Sequence, residues 1–164
     1  GNHETTKLCL HTIIKHQQKK LIGAKSLLDI GCGSGIIALT ASLIGFKKVE
    51  GIDNDYDAIK VSMQNAKLNR INDVNFRMES LGDLSSSKKF AYIVANIQSD
   101  ILQKYSSELL NIIDINGTLI LSGILSSEKE IVMNHFENKI KKMNLNFHVS
   151  DKTMNEWSLL EFNL

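Results

Sequence analysis

Apolar and polar positions along the chain alternate in two rhythms, and the switches between them predict the elements. From Thr5 to Lys20, Leu8, Leu10, Ile13 and Ile14 recur among polar residues at helical spacing, so a helix precedes the first strand. Leu27–Ile30 is a short apolar run that reads as a strand. Ile36–Ile44 is an apolar helix with Gly45 at its C-terminal cap. Val49–Asp53 is the second strand, and Asp55 to Arg70 a helix with Ala58, Ile59, Ala66 and Leu68 facing inward. Val74–Met78 and Phe90–Asn96 are strands three and four. Ile101 to Ile113 is expected to be one helix, followed by a turn at Asn116-Gly117 and strand five at Thr118–Leu121. A last helix spans Ser127 to Met143, capped by Ser126 or Ser127 with Glu130 in its first turn. Leu145–Val149 and Trp157–Phe162 close the chain as two strands joined by a polar turn.

Strands that alternate with helices predict a mostly parallel sheet covered on both faces. Two final strands with no helix between them predict an antiparallel hairpin at one edge. In such a sheet ligands bind beyond the carboxyl ends of the strands, at the switch point. Gly31, Asp53, Ser80 and Asn96 all stand at or just past strand ends, so they are expected to converge on one crevice.

The chemistry of that crevice is written in Leu27 to Gly35, L-L-D-I-G-C-G-S-G, and in V-E-G-I-D ending at Asp53. An apolar strand runs into glycines at alternate positions, Gly31, Gly33 and Gly35. A second strand then delivers a carboxylate twenty-two positions after Gly31. Glycines let a ligand approach the backbone, and a strand-end acid accepts hydrogen bonds from a ribose diol, so this is a nucleoside-cofactor site. A dinucleotide loop wants G-x-G-x-x-G, whereas here Ile36 stands where its third glycine or alanine belongs. The spacing resembles motif I of class I methyltransferases, which bind S-adenosylmethionine.

Composition narrows the partners. A chain of 164 residues is one domain with a sizeable core. Nineteen basic residues against eighteen acidic ones leave no excess to hold a phosphate backbone, so direct nucleic-acid binding is not expected. No apolar run approaches the roughly 20 residues that span a bilayer, and no secretory segment is visible. Cys9 and Cys32 have no metal-ligand spacing and read as buried free thiols, consistent with a reducing cytoplasm. The five histidines are scattered, and no Ser/His/Asp arrangement can be argued from them.

A closer resemblance covers essentially the whole chain. Gly1 to Leu10, G-N-H-E-T-T-K-L-C-L, is similar to the G-x-H-x-T-T-[RK]-L-C-L segment of the enzymes that methylate large-subunit ribosomal protein eleven. L-D-I-G-C-G-S-G-I, G-I-D, V-A-N-I, L-S-G-I-L and the terminal E-W-x-x-L follow in that family's order. The resemblance implies a seven-stranded class I methyltransferase (Rossmann-like) α/β fold with S-adenosylmethionine as cofactor. It also implies the roles of single residues. Thr6 would close the methionine end of the cofactor, and the backbone at Gly31 and Gly33 would meet its amino-acid end. Asp53 would take both ribose hydroxyls, Ser80 and Leu81 would lie near the adenine, and Asn96 would serve cofactor and catalysis.

Asn96 bears on the substrate. Methyltransferases of base nitrogens or glutamine amides typically carry [ND]-P-P-[YF] there, while this chain reads Asn96-Ile97-Gln98-Ser99. Without the proline and the aromatic ring nothing stacks on a planar amide or base, which favours a lysine side chain or a free α-amine. The expected substrate is a ribosomal protein. Family members also carry an N-terminal substrate-binding domain, whereas this sequence opens inside the first motif. It therefore reads as the catalytic domain alone, or as a homologue acting on another protein, as the lysine methyltransferases of electron-transfer flavoprotein do. Two other readings remain at this stage: a cofactor-binding module without activity, and a small-molecule methyltransferase.

Overall fold

The structure, a computed structural model, describes residues 3–21, 23 and 25–164. Gly1 and Asn2 of the opening motif lie outside the described residues. The chain runs α1 (His3–Gln18), β1 (Ser26–Ile30), α2 (Ile36–Leu43), β2 (Lys48–Asp53), α3 (Tyr56–Leu68) and β3 (Val74–Met78). After a 3-10 turn at Leu81–Asp83 come β4 (Phe90–Asn96), α4 (Ser99–Lys104), α5 (Ser106–Ile112) and β5 (Ile113–Leu125). The chain closes with α6 (Lys129–Lys142), β6 (His148–Met154) and β7 (Trp157–Asn163).

The seven strands form one sheet in the order β3-β2-β1-β4-β5-β7-β6. β1 to β5 pair in parallel, while β7 runs antiparallel to β5 and β6 antiparallel to β7. The expected mostly parallel sheet with an antiparallel C-terminal edge hairpin is therefore observed. Successive side chains of a strand point to opposite faces, so one apolar strand serves two cores. Tyr92 and Val94 of β4 pack with Leu8, Cys9 and Ile13 of α1 and Ile37 and Ala41 of α2. Ile93 and Ala95 pack on the other face with Leu102, Leu109, Phe136 and Ile140 from α4, α5 and α6. Burial on both faces is why these strands are continuous apolar runs.

Several expected elements differ in detail. Leu68 is exposed instead of inward, and Ser62 is buried with Ile59 and Ala66. Position 68 lies nine residues after 59, half a turn out of phase at 3.6 residues per turn. The helix expected over Ile101 to Ile113 is two helices, broken at Tyr105 (φ −102°, ψ 21°). Asn116-Gly117 does not end an element. Asn116 takes a left-handed φ of 63° within a strand running from Ile113 to Leu125, where the register against β4 shifts. The last helix begins at Lys129, and neither expected serine caps it. Ser126 instead shares a hydrogen bond with the Ser158 hydroxyl (3.0 Å). The first closing strand begins at His148, and Leu145 and Phe147 reach the core from the preceding loop.

A buried polar network pins α1 to the hairpin. His16 Nε2 bonds Glu161 Oε1 (2.9 Å), and its Nδ1 bonds the Tyr92 hydroxyl (2.8 Å). Burial alone would raise the Glu161 pKa. The bonds from His16 and Asn163, with the charge of Lys152, outweigh it and hold the carboxyl at about 2, against 4.5 in an unfolded chain. A depressed folded-state pKa contributes stability that is present above pH 4.5 and lost as the pH falls toward 2. Glu161→Gln is therefore expected to cost roughly 2 kcal/mol at pH 7 and to leave a smaller stability difference from wild type at pH 3. Urea denaturation at the two pH values measures this, and a difference independent of pH contradicts it. Among the described residues, no helix is long and apolar enough to cross a membrane.

Candidate functional site

The carboxyl ends of β1, β2, β3 and β4 open on one cavity of about 390 Å³, within the size range of small-molecule sites. Gly31, Asp53, Ser80 and Leu81 line it, as the sequence predicts. Gly31 follows β1 with φ +68°, and a Cβ built there would stand 2.5 Å from Ile97 Cγ2, so an ordinary side chain has no room. The Gly31 and Cys32 N–H groups both donate to the Ile52 carbonyl (2.9 and 3.0 Å), which ties the glycine loop to β2.

Asp53 organises the next layer. Its Oδ2 accepts from the Gly33 N–H (3.0 Å) and its Oδ1 from the Asp55 N–H (3.0 Å). Asp55 in turn caps α3 by accepting from the Asp57 N–H (2.9 Å). Gly33 is thus held against Asp53, with open space where its side chain would be. Asp29 does comparable work beneath the loop. Gly35 precedes α2 with no side chain to cap it, and the Ala38 N–H donates instead to Asp29 Oδ2 (3.1 Å). Burial, with the nearby Asp53 charge, pushes the Asp29 pKa up to about 7 against the pull of that bond. Asp29 Oδ1 is buried and has no hydrogen-bond partner among the described residues.

Ser80 stands at the cavity, but its hydroxyl donates to Asp83 Oδ2 (2.9 Å) and so braces the 3-10 turn. Asn96 and Thr6 meet each other: Asn96 Nδ2 donates to Thr6 Oγ1 at 3.5 Å, next to the cavity rather than in its wall. The wall there is built by Ile97 and Gln98. Ser122 Oγ donates to the Thr5 carbonyl (3.3 Å), so L-S-G-I-L and the opening motif touch across 117 residues of sequence.

Sequence reasoning did not single out the far wall, which comprises Ile101, Lys104 and Tyr105. Tyr105 sits at the break between α4 and α5, its ring 3.5 Å from where a Gly82 Cβ would stand and its face under the Lys104 ammonium (4.9 Å to the centroid). Glu79 was also missed. It lines the cavity while Arg77, itself paired with Glu50, holds its carboxylate (2.6 Å). Cys9 and Cys32 are free and buried, and burial pushes both thiols up, Cys9 to about 12. They are not nucleophiles at neutral pH.

A family model described as ribosomal protein L11 methyltransferase (PrmA) matches residues 1–163. The chain belongs to the ribosomal protein L11 methyltransferase family. Among relatives of that name, the protein of Thiobacillus denitrificans is 39% identical over 133 residues, 81% of this chain and 42% of its own. That of Alkaliphilus metalliredigens is 36% identical over 162 residues, 98% of this chain and 48% of its own. The crystal structure of ribosomal protein L11 methylase from Lactobacillus delbrueckii subsp. bulgaricus superposes with a TM-score of 0.85 at 27% identity, covering 99% of this chain and 79% of that one. The chain thus spans about half the length of the curated L11 methyltransferases it matches. A putative RNA methyltransferase of Pyrococcus horikoshii shares the fold (TM-score 0.75, 14% identity).

Proposed function

We propose that this chain is the catalytic domain of an S-adenosylmethionine-dependent protein N-methyltransferase acting on lysine side-chain or α-amino groups of ribosomal protein L11. The observation that carries the reading is the meeting of the Gly31 loop, Asp53 and the Asn96-Ile97 loop around one strand-end cavity, in a member of the L11 methyltransferase family. The residues present fit the cofactor. Gly33 leaves open space beside Asp53, and the cavity suits a nucleoside.

S-adenosylmethionine supplies a sulfonium methyl with a neutral thioether as leaving group. Asp53 would accept from the ribose hydroxyls, and the backbone at Gly31 and Gly33 would meet the amino-acid end. Ser80 and Leu81 would flank the adenine, and Thr6 would close the methionine end. The protein's work is alignment and exclusion of water. Only an amine with a free lone pair attacks, so the ammonium first gives its proton to solvent; its charged form is disfavoured beside the positive sulfur. Asn96 turns its donor end to Thr6, leaving its carbonyl oxygen to orient that amine.

The substrate arm of the reading follows from Asn96-Ile97-Gln98-Ser99, where no ring is available to stack on a base. The near-zero net charge supports a protein partner over nucleic acid, and two free buried thiols support a cytoplasmic setting. Substrate grip is proposed to come from a separate N-terminal domain, in line with the length of the relatives.

Incubation with methyl-labelled S-adenosylmethionine and total ribosomal proteins tests the function. Label confined to L11 is expected, strongest with any longer parent chain. Label on another protein redirects the substrate. Cofactor binding with no transfer by either chain identifies an inactive module.

A further inference from the structure

We infer that Gly123 is a positioning residue for the Asn96–Ile97 loop, setting its depth in the site by occupying no space. The inference rests on the methyltransferase reading for its catalytic consequence, and on geometry for the rest. β4 lies between β1 and β5 in the sheet. β4 and β5 stay paired as far as Asn96 opposite Ser122, and beyond that pair the Ile97 peptide crosses over Gly123. Gly123 takes φ +82°. A Cβ built there would stand 2.9 Å from the Ile97 carbonyl carbon and 3.2 Å from its nitrogen, and nearer still to its carbonyl oxygen. These are main-chain atoms, so no rotamer change relieves the overlap.

The other side of Ile97 is approached through its side chain. Its Cγ2 lies 2.5 Å from where a Gly31 Cβ would stand. Residue 97 therefore lies between two glycines, Gly31 just past β1 and Gly123 within β5, the two strands that flank β4. Ile97 and Gly31 both line the cavity, and Asn96 is the adjoining residue. A methyl group at 123 has to displace the Ile97 peptide, and Asn96 moves with it. Placement errors near 1 Å in such a site cost about a hundredfold in rate. The same glycine also lies where β5 shifts register against β7, between Leu121 and Ile124. A purely structural role at that irregularity predicts loss of stability alone, and the two roles separate by experiment.

Gly123→Ala is to be compared, in the full chain, with Gly45→Ala. Gly45 also has a positive φ (+114°), but its Cβ would meet nothing within 4 Å, so it reports backbone strain without contact. Both variants are expected to lower the melting temperature. Only Gly123→Ala is expected to speed amide hydrogen exchange over residues 94–99 and to weaken S-adenosylmethionine binding by about tenfold or more in calorimetry. It is also expected to lower turnover about a hundredfold in the wild-type background, but only about threefold on top of Asn96→Ala, because the two changes remove one orientation. Identical exchange over 94–99 in the two variants, or losses that add fully with Asn96→Ala, overturns the inference. Should Gly123→Ala not fold, Gly123→Ala/Ile97→Ala frees the Gly31 side. Recovered folding with turnover still depressed is expected, whereas recovered turnover, or no folding, refutes positioning. A wild-type chain that binds no S-adenosylmethionine sinks the methyltransferase reading instead, and the exchange comparison still decides the loop.

Discussion

Asp53→Ala is expected to abolish cofactor binding measurable by calorimetry while leaving a folded protein. The carboxylate stands where β2 ends, in the cavity wall, and each oxygen already accepts one backbone N–H, from Gly33 and from Asp55. A carboxylate oxygen has room for a second donor, so ribose hydroxyls would be added to these bonds instead of replacing them. Hydrogen bonds to a charged group contribute about 1.5–3 kcal/mol each, so two ribose bonds lost together correspond to a hundredfold or more in affinity. Alanine also releases the Gly33 N–H and so loosens the loop that would face the amino-acid end. Asp53→Asn separates the effects. One amide oxygen still accepts, from Gly33 or from ribose, but its NH₂ opposes a backbone N–H, so an intermediate affinity is expected. Unchanged S-adenosylmethionine affinity in Asp53→Ala sinks the ribose assignment.

The strand-end logic that exposed Asp53 was legible because central parallel strands buried on both faces write themselves as largely apolar runs, while the edge strand β3 shows as an alternation, V-N-F-R-M. Leu27–Ile30, Val49–Asp53, Val74–Met78 and Phe90–Asn96 lie within one residue of β1 to β4. Their ends placed Gly31, Asp53, Ser80 and Leu81 at the cavity. What failed was decided by tertiary contact. No glycine or proline marks the break at Tyr105, whose ring instead packs by Gly82. Asn116-Gly117 carries a real left-handed turn signal, yet β4 pairs on either side of it, Phe90 with Ile113 and Tyr92 with Thr118, so the segment bulges within one strand instead of ending it. β6 is an edge strand held by backbone bonds to β7, and its polar sequence H-V-S-D-K-T-M carries no apolar period to read. Gly123 was visible only as part of L-S-G-I-L. What marks it is a close approach to the Ile97 peptide, 26 residues earlier and just past β4, which no local pattern encodes.

Asn96→Ala is expected to lower turnover about a hundredfold or more while changing cofactor affinity by no more than about threefold. The split follows from position. The wall next to the Gly31 loop is built by Ile97 and Gln98, whereas the Asn96 amide lies beside it and meets Thr6. Truncation therefore leaves the ribose and glycine-loop contacts in place and removes the group that would orient the amine, an effect confined to the reacting complex. Thr6→Val removes the hydroxyl that holds the amide and that would close the methionine end of the cofactor, so it is expected to lower turnover less than Asn96→Ala does and to weaken cofactor affinity as well. Asn96→Asp tests the chemistry from the other side. A carboxylate beside the amine favours its ammonium form, so its rate should be low at neutral pH and recover as the pH is raised, with the pH–rate profile displaced upward. Affinity falling more than turnover in Asn96→Ala would refute the orienting role, and a profile for Asn96→Asp parallel to wild type would remove the amine from its neighbourhood.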